Sequence, residues 1–447
     1  MNETDLYQNR RVALAKHIRT NTGGGIAIIA TAPEVSRNRD SEFPYRHDSD
    51  FFYLTGFEEP GATLVITVSQ TAYETHLFCR PKDPEREIWD GIRLGPQAAP
   101  STLGVDFAYS NTELDAKLAE LFANQNAVYT RLAESGESDR RLRHWMKQAR
   151  QQVRAGINPP SEFHDIEAII HEMRLFKDPF EIETMRRAAT ISARAHVRAM
   201  QICKPGMREY QLEAELLHEF RNSGAQSVAY NSIVAGGANS CILHYRAGST
   251  ELRSGDLCLI DAGCELDSYA SDITRTFPVN GKFSGPQRAL YDITLAAQEA
   301  AIAVTKAGNT FIQPHDAALK VLTQGLLDEK LLKLSELGSL DNAIETAAYR
   351  RFYMHRTSHW LGMDVHDVGS YRELSSLTQK PWRTLQTGMV ITIEPGLYVR
   401  PAEDVDERFW NIGIRIEDDA VINDAGCELI SRGVPVKADE IEALMKH

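Results

Sequence analysis

Apolar and polar positions along the chain follow two periods, and the places where the period changes mark the elements. Residues 1–20 read as a helix, and Gly23-Gly24-Gly25 opens a strand over Ile26 to Ala30. Glycines that precede a strand have the wrong order for a phosphate cradle, where they follow the strand and open a helix. Residues 36–60 are rich in aromatic and charged side chains without periodicity, and predict a structured loop with one short strand. Alternation returns over Ala62 to Val68 and Tyr73 to Cys79, the pattern of a hairpin. Asp83 to Leu94, with Trp89, reads as a second polar loop. Asn111 to Ala123 places Leu114, Leu118, Leu121 and Phe122 on one helical face; Ala127 to Thr130 predicts a strand and Ser138 to Val153 a helix. Asn158-Pro159-Pro160 then breaks regular structure before one linking helix.

A strong helix start follows. Asp178 is a candidate N-cap, Pro179 takes the first helical position and Glu181 completes a capping box. Ile182, Met185, Ala189, Ala193 and Met200 hold one face until Lys204-Pro205-Gly206, and Arg208 to Asn222 is a second helix closed by Gly224. The layout recurs with a helix from Gln287 to Lys306-Ala307-Gly308 and another near Pro314, strands following in both halves. An internal duplication of this kind would set two helix-backed sheets face to face around a cleft. The expected class is α/β (α+β), with residues 1–172 as a mixed-sheet domain and residues 173–447 as a second domain.

The stretch LCLIDAGCELDSYASDITRT, Leu257 to Thr276, predicts two strands joined by a polar reversal, with Asp261 and Asp272 brought together. Taken alone, the stretch is better explained as a pair of solvated turn aspartates. Three later stretches add to it. His359 lies in SHWLGMDVHDVG, Glu394 ends GMVITIEPG, and Glu417 ends NIGIRIED, where Arg415 and Glu417 share a face opposite Ile414 and Ile416. Each acid follows a β-branched apolar run, where an unpaired charge is costly. Two divalent cations would offset four such carboxylates, and an oxygen-rich set with one imidazole suits Mn²⁺, Co²⁺ or catalytic Zn²⁺ better than a closed thiolate site does.

Composition narrows the setting. At 447 residues and 43% hydrophobic, the chain can bury more than one core. A net charge of −13 argues against sequence-independent binding to nucleic acid or an anionic membrane. The N-terminus reads without a secretory h-region, and no run reaches the ~18 apolar residues of a bilayer span. Cys79, Cys203, Cys241, Cys258, Cys264 and Cys427 are scattered without C-x-x-C, as expected of small buried thiols in a reducing, cytoplasmic compartment. No G-x-S-x-G elbow occurs, and His171-Glu172 and His218-Glu219 start a zincin motif whose second His is missing, Leu175 and Asn222 standing there.

The order Asp261-x₁₀-Asp272, His359, Glu394, Glu417, in these contexts, resembles the pita-bread metallopeptidases. Within that group SHWLGMDVHDVG, TIEPGLYV and GIRIED resemble the aminopeptidase P (Xaa-Pro aminopeptidase) family, as do RNRDSEFPYR, SDFFYLTGF and EIWDGIRLG in the first half. The resemblance implies a creatinase/aminopeptidase P-like domain over residues 1–172 and a pita-bread catalytic domain with pseudo-twofold duplication over residues 173–447. It implies two divalent cations per subunit, Mn²⁺ first, one held by Asp261 and Asp272 and the other by Asp272, His359, Glu394 and Glu417, with Asp272 and Glu417 bridging. His244, His355, His366, Tyr398 and Arg415 would line the substrate pocket, with Asp40 and Trp89 approaching from the first domain. The implied reaction is release of the N-terminal residue from Xaa-Pro-Yaa peptides by a hydroxide held between the cations. Glu394 would move the proton, His366 stabilise the oxyanion, and His355 join them as a catalytic group. A homo-oligomer, tetramer or dimer, is expected. Arg356-Thr357, beside His355, is bulkier and more basic than the family pattern. Two alternatives stand beside this reading: a prolidase restricted to Xaa-Pro dipeptides, which shares the ligand set, and a metal-free pita-bread interaction module, in which the ligands are typically lost.

Overall fold

The computed structural model describes residues 3–373 and 380–446. The chain divides into two compact units, Met1–Met173 and Arg174–His447.

In the first unit, strands β1 (Gly25–Ala30), β2 (Thr63–Val68), β3 (Tyr73–Cys79), β4 (Phe107–Ser110), β5 (Ala127–Thr130) and β6 (Glu162–Asp165) form one sheet in the order β4-β3-β2-β1-β5-β6. It is mixed, with β1 antiparallel to β2 and parallel to β5. Ile26, Ile28, Val65 and Phe78 pack against Leu118 and Phe122 of one helical segment and Trp145 of another. Two segments differ from the sequence reading. Helix α1 (Ser49–Thr55) forms inside the aromatic stretch expected to be loop, capped by the Asp48 side chain and by Gly56 at φ 64°. Every residue of α1 is buried, so it has no polar face and leaves no helical period to detect. Helix α2 (Pro84–Asp90) replaces the second polar loop, with Asp83 as N-cap, and buries none of its residues. It is set by its cap and Pro84 rather than by an apolar stripe.

In the second unit, α3 (Pro179–Ile202) starts at the expected capping box, where Asp178 accepts from the Phe180 and Glu181 amides while Glu181 accepts from the Asp178 amide. Such a cap contributes about 1 kcal/mol. Helices α3 and α4 (Glu209–Asn222) precede an antiparallel sheet of β7 (Ile233–Gly236), β8 (Leu257–Asp261) and β9 (Thr274–Pro278). Helices α5 (Gly285–Val304) and α6 (Gln313–Asp328) precede a second, in the order β10-β12-β13, formed by β10 (Val390–Ile393), β12 (Asp418–Ile422) and β13 (Cys427–Leu429). Strand β11 (Gly396–Val399) pairs with the residues 412–415 segment just before β12. The repeated helix-pair-and-sheet layout is thus present twice. One core joins both copies: Ile260 and Phe277 belong to it with Ile391, Ile393, Ile414 and Ile416. A β-bridge between Thr274 and Glu417 connects the two sheets where the acidic residues gather.

Candidate active site

The first pair of acids arises from a nested hairpin. Strands β8 and β9 pair with Asp261 opposite Thr274. The chain between them makes a smaller hairpin, Glu265 opposite Ala270, whose turn places Asp267 and Ser268 at φ 48° and 69°. Gly263 permits the crossing at its base, because a Cβ there would fall 1.6 Å from the Ser271 carbonyl oxygen. Asp261 and Asp272 are both buried, which excludes solvated turn aspartates. Between them stands Tyr230, its hydroxyl 2.6 Å from Asp261 Oδ1 and 2.5 Å from Asp272 Oδ1. Tyr230 went unnoticed in the sequence, where an aromatic residue ahead of a short strand carries no distinguishing pattern.

Glu394 directly follows β10 and Glu417 directly precedes β12, while Ile393, Ile414 and Ile416 go into the core. The alternation that buries the isoleucines turns the acids the other way. Glu417 accepts a hydrogen bond from the Thr274 hydroxyl at 2.6 Å. His359 sits on the loop after Ser358, its Nδ1–H donating to the Trp360 carbonyl at 2.9 Å, so Nε2 faces Asp272 at 3.4 Å and Glu394 at 3.7 Å. That loop is pinned by Asp367, which pairs with Arg174 at 2.6 Å and with Lys177 at 2.8 Å, all three buried. Gly362 fits beneath it because a Cβ would lie 2.1 Å from Asp367 Oδ2.

The charge balance identifies what this group can hold. Asp261, Asp272, Glu394 and Glu417 lie beside the buried cation Arg415, whose Nη2 is 2.6 Å from Asp261 Oδ2. Burial raises Glu417 well above the carboxylate range, and Asp272 and Glu394 raise it further. Burial also raises Asp272, against the opposing pull of His359, and lifts Glu394 to about 7. Burial alone would lower His359, but its hydrogen bond to Asp272 and the charge of Glu394 outweigh this and lift it to about 9. Protons thus supply the positive charge that this arrangement demands. Asp272, His359 and Glu417 each offer a ligand atom, all within 4.8 Å of one another, and the carbonyl behind His359 fixes the tautomer that presents Nε2. These residues fit a divalent cation, which would displace the protons.

The acids line a cavity of about 480 Å³ together with His244, His355, His366 and Arg415. His366 packs against His359 with ring centroids 4.1 Å apart and planes tilted by 53°, and partial burial together with His359 lowers it to about 4. Burial and the nearby Arg415 lower His355 to about 3. Tyr398 stands behind the wall, fully buried, its hydroxyl 2.8 Å from both His355 Nε2 and Arg415 Nη1. Of Arg356-Thr357, only Arg356 reaches the cavity; Thr357 is buried against Tyr353 and His315. In the first unit, Asp40 is exposed at the turn of a small hairpin, Ser36–Asn38 with Ser41–Glu42, and Trp89 is exposed on α2.

Known proteins resemble this chain in sequence and fold. Residues 183–424 match the metallopeptidase family M24 and residues 7–129 the aminopeptidase P N-terminal domain. The Xaa-Pro aminopeptidase of Escherichia coli (strain K12) is 46% identical over 440 residues, covering 98% of this chain and 97% of that protein. The structure of Pseudomonas aeruginosa aminopeptidase PepP superposes with a TM-score of 0.94 at 47% identity, covering 99% of this chain and 98% of that one. A zinc-substituted Escherichia coli aminopeptidase P in complex with product superposes with a TM-score of 0.93 at 45% identity, covering 99% of this chain and 98% of that one. With the half that carries the acidic cluster matched to one family and its first half to the companion domain, the chain belongs to metallopeptidase family M24, in the aminopeptidase P (Xaa-Pro aminopeptidase) branch.

Proposed function

We propose that this chain releases the N-terminal residue from peptides with proline in second position, and that the cavity of the second unit carries the reaction. The observation with most weight is the buried group Asp272, His359 and Glu417, whose converging ligand atoms lie amid more negative charge than Arg415 offsets. We assign Asp261, Asp272 and Glu417 to one divalent cation and Asp272, His359, Glu394 and Glu417 to a second, so that Asp272 and Glu417 would serve both. Manganese is favoured over cobalt or zinc on the hardness of an oxygen-rich set. When bound, the two cations would acidify a water and polarise the scissile carbonyl.

The chain's own groups do the rest. Glu394, on the cavity wall, is assigned to accept a proton from water and give it to the departing prolyl nitrogen. Its Oε2 lies 3.8 Å from His355 Nδ1, which supports a shared role for His355. His366, neutral beside His359, is placed to donate to the carbonyl oxygen as charge develops. An Xaa-Pro bond has no N–H to read, so selectivity must come from shape. His244, His355 and Arg415 supply the walls, and Tyr398 orients the last two from behind. Asp40 and Trp89 are assigned to substrate contacts made outside this cavity wall, Trp89 across an interface of a homo-oligomer, dimer or tetramer. The exposure of Ile88, Trp89 and Ile92 together supports such an interface. Six unpaired thiols support a reducing, cytoplasmic setting, and residues 1–172 and 173–447 are assigned as the accessory and catalytic domains.

The test is turnover of a Xaa-Pro-Yaa tripeptide and of the matching Xaa-Pro dipeptide by chelated and by manganese-reloaded protein. Chelation should abolish tripeptide cleavage and manganese restore it. Cleavage confined to the dipeptide would overturn the aminopeptidase assignment in favour of a prolidase.

A further inference from the structure

We propose that Arg246 and Arg356 form a carboxylate-reading rim on the catalytic cavity, so that the chain favours short substrates bearing a negative charge just beyond the proline. The inference rests on the aminopeptidase reading and narrows its substrate class.

Both arginines line the cavity whose floor carries Asp261, Asp272, Glu394 and Glu417, and both are exposed. Neither makes a hydrogen bond or ion pair through its guanidinium with any of the described residues. Other arginines of the same unit are ion-paired: Arg415 with Asp261, Arg351 with Asp404 and Arg408 with Glu329 and Asp406. Two guanidinium groups without a hydrogen-bonded acid line this cavity, Arg356 meeting only the longer-range charge of Asp316, and in a chain of net charge −13 they are a local reversal of sign.

Arg356 is also held in place. Its guanidinium carbon lies 5.0 Å from the centroid of the Trp382 ring, which Arg372 approaches at 3.3 Å. The Arg356 carbonyl accepts from His355 Nδ1 at 2.7 Å, and the next residue, Thr357, is fixed by His315 at 2.9 Å and Tyr353 at 2.6 Å. A cation–π contact restrains the side chain while leaving its N–H groups free, and a restrained guanidinium loses less entropy on gripping a carboxylate. The cavity is therefore polar along its depth, acidic at the floor and basic at the rim. A peptide whose cationic amine enters first presents its far end to the rim, where complementarity requires a carboxylate. That group is either the C-terminal carboxylate of a tripeptide or an acidic side chain at the third position.

Four substrates separate these: Xaa-Pro-Gln and Xaa-Pro-Glu, each with a free or an amidated C-terminus, assayed on the manganese-loaded full chain. In the parent protein we expect kcat/KM to favour the charged partner by about fivefold, ~1 kcal/mol, carried by KM. The preference falls between free and amidated Xaa-Pro-Gln if the rim reads the terminus, and between amidated Glu and Gln if it reads the side chain. In the Arg246→Ala/Arg356→Ala double variant the ratio should fall to near one, Arg356→Lys should keep part of it, and added salt should compress it in the parent. An unchanged ratio in the double variant, or no preference in a parent that cleaves the neutral amide, overturns the rim and leaves the aminopeptidase reading intact. Failure to cleave any of the four overturns that reading and the rim with it.

Discussion

Replacing Asp367 by Asn tests whether the loop carrying His359 and His366 is held by buried charge. Asp367 is a single carboxylate between two cations, Arg174 at 2.6 Å and Lys177 at 2.8 Å. Arg174 keeps a second partner in Asp364 at 2.7 Å, whereas Lys177 pairs with Asp367 alone among the described residues. Asp367→Asn therefore leaves a buried ammonium with one amide oxygen in place of an anion. Breaking a buried pair from one side costs about 3–5 kcal/mol, and the retained hydrogen-bond acceptor places this variant near ~3 kcal/mol. The expected result is a fall of about 6–12 °C in the melting temperature. The urea midpoint should drop with the slope unchanged. Lys177→Met should cost less, because Asp367 then keeps Arg174. Burial alone would raise Asp367, but Lys177 and Arg174 overcome it and hold the carboxyl below its ordinary range. Its contribution is then complete above the unfolded value of about 3.9 and is lost as pH falls through the lower folded value. The parent should lose stability more steeply than Asp367→Asn in that acid window. A loss below about 1 kcal/mol, or parallel acid profiles, would show that packing rather than charge anchors the loop.

Other outcomes follow from the same geometry. Glu417→Ala removes a ligand shared between the two proposed cations and should abolish turnover through metal loss; full metal content with a normal rate would refute the assignment. His366→Ala should lower kcat far more than metal occupancy, and equal losses in both would make His366 a ligand or a structural residue. Buried His196, whose ring lies 3.0 Å from the Ala262 carbonyl, is lowered to about 4 by burial. Because the folded value lies below the unfolded one near 6.5, its stabilisation is full above 6.5 and is lost as pH falls towards 4, about 2 kcal/mol between pH 7 and 5. Urea midpoints of parent and His196→Gln at the two pH values measure it, and equal decrements would refute it.

Much of this protein is written in local pattern. The capping box at Asp178 and Glu181, the alternation that buries Ile414 and Ile416 while turning Arg415 and Glu417 the other way, and the apolar approach to Asp261 are readable because each rests on neighbours within a few residues. The segments that escaped carry no such period. Helix α1 is buried on all sides and α2 on none, and in both cases the contrast between faces that marks a helix is absent.

The sequence by itself determined which residues carry charge at the ends of apolar strands, and hence that several acids would need a positive partner. Tertiary structure alone decided how that need is met. Tyr230 between Asp261 and Asp272, Tyr398 behind His355 and Arg415, and Asp367 locked to Arg174 and Lys177 join residues from 17 to 193 positions apart. Hydrogen bonds and ion pairs over such separations leave no periodic trace along the chain, because their geometry exists only once the two helix-backed sheets have packed into one core.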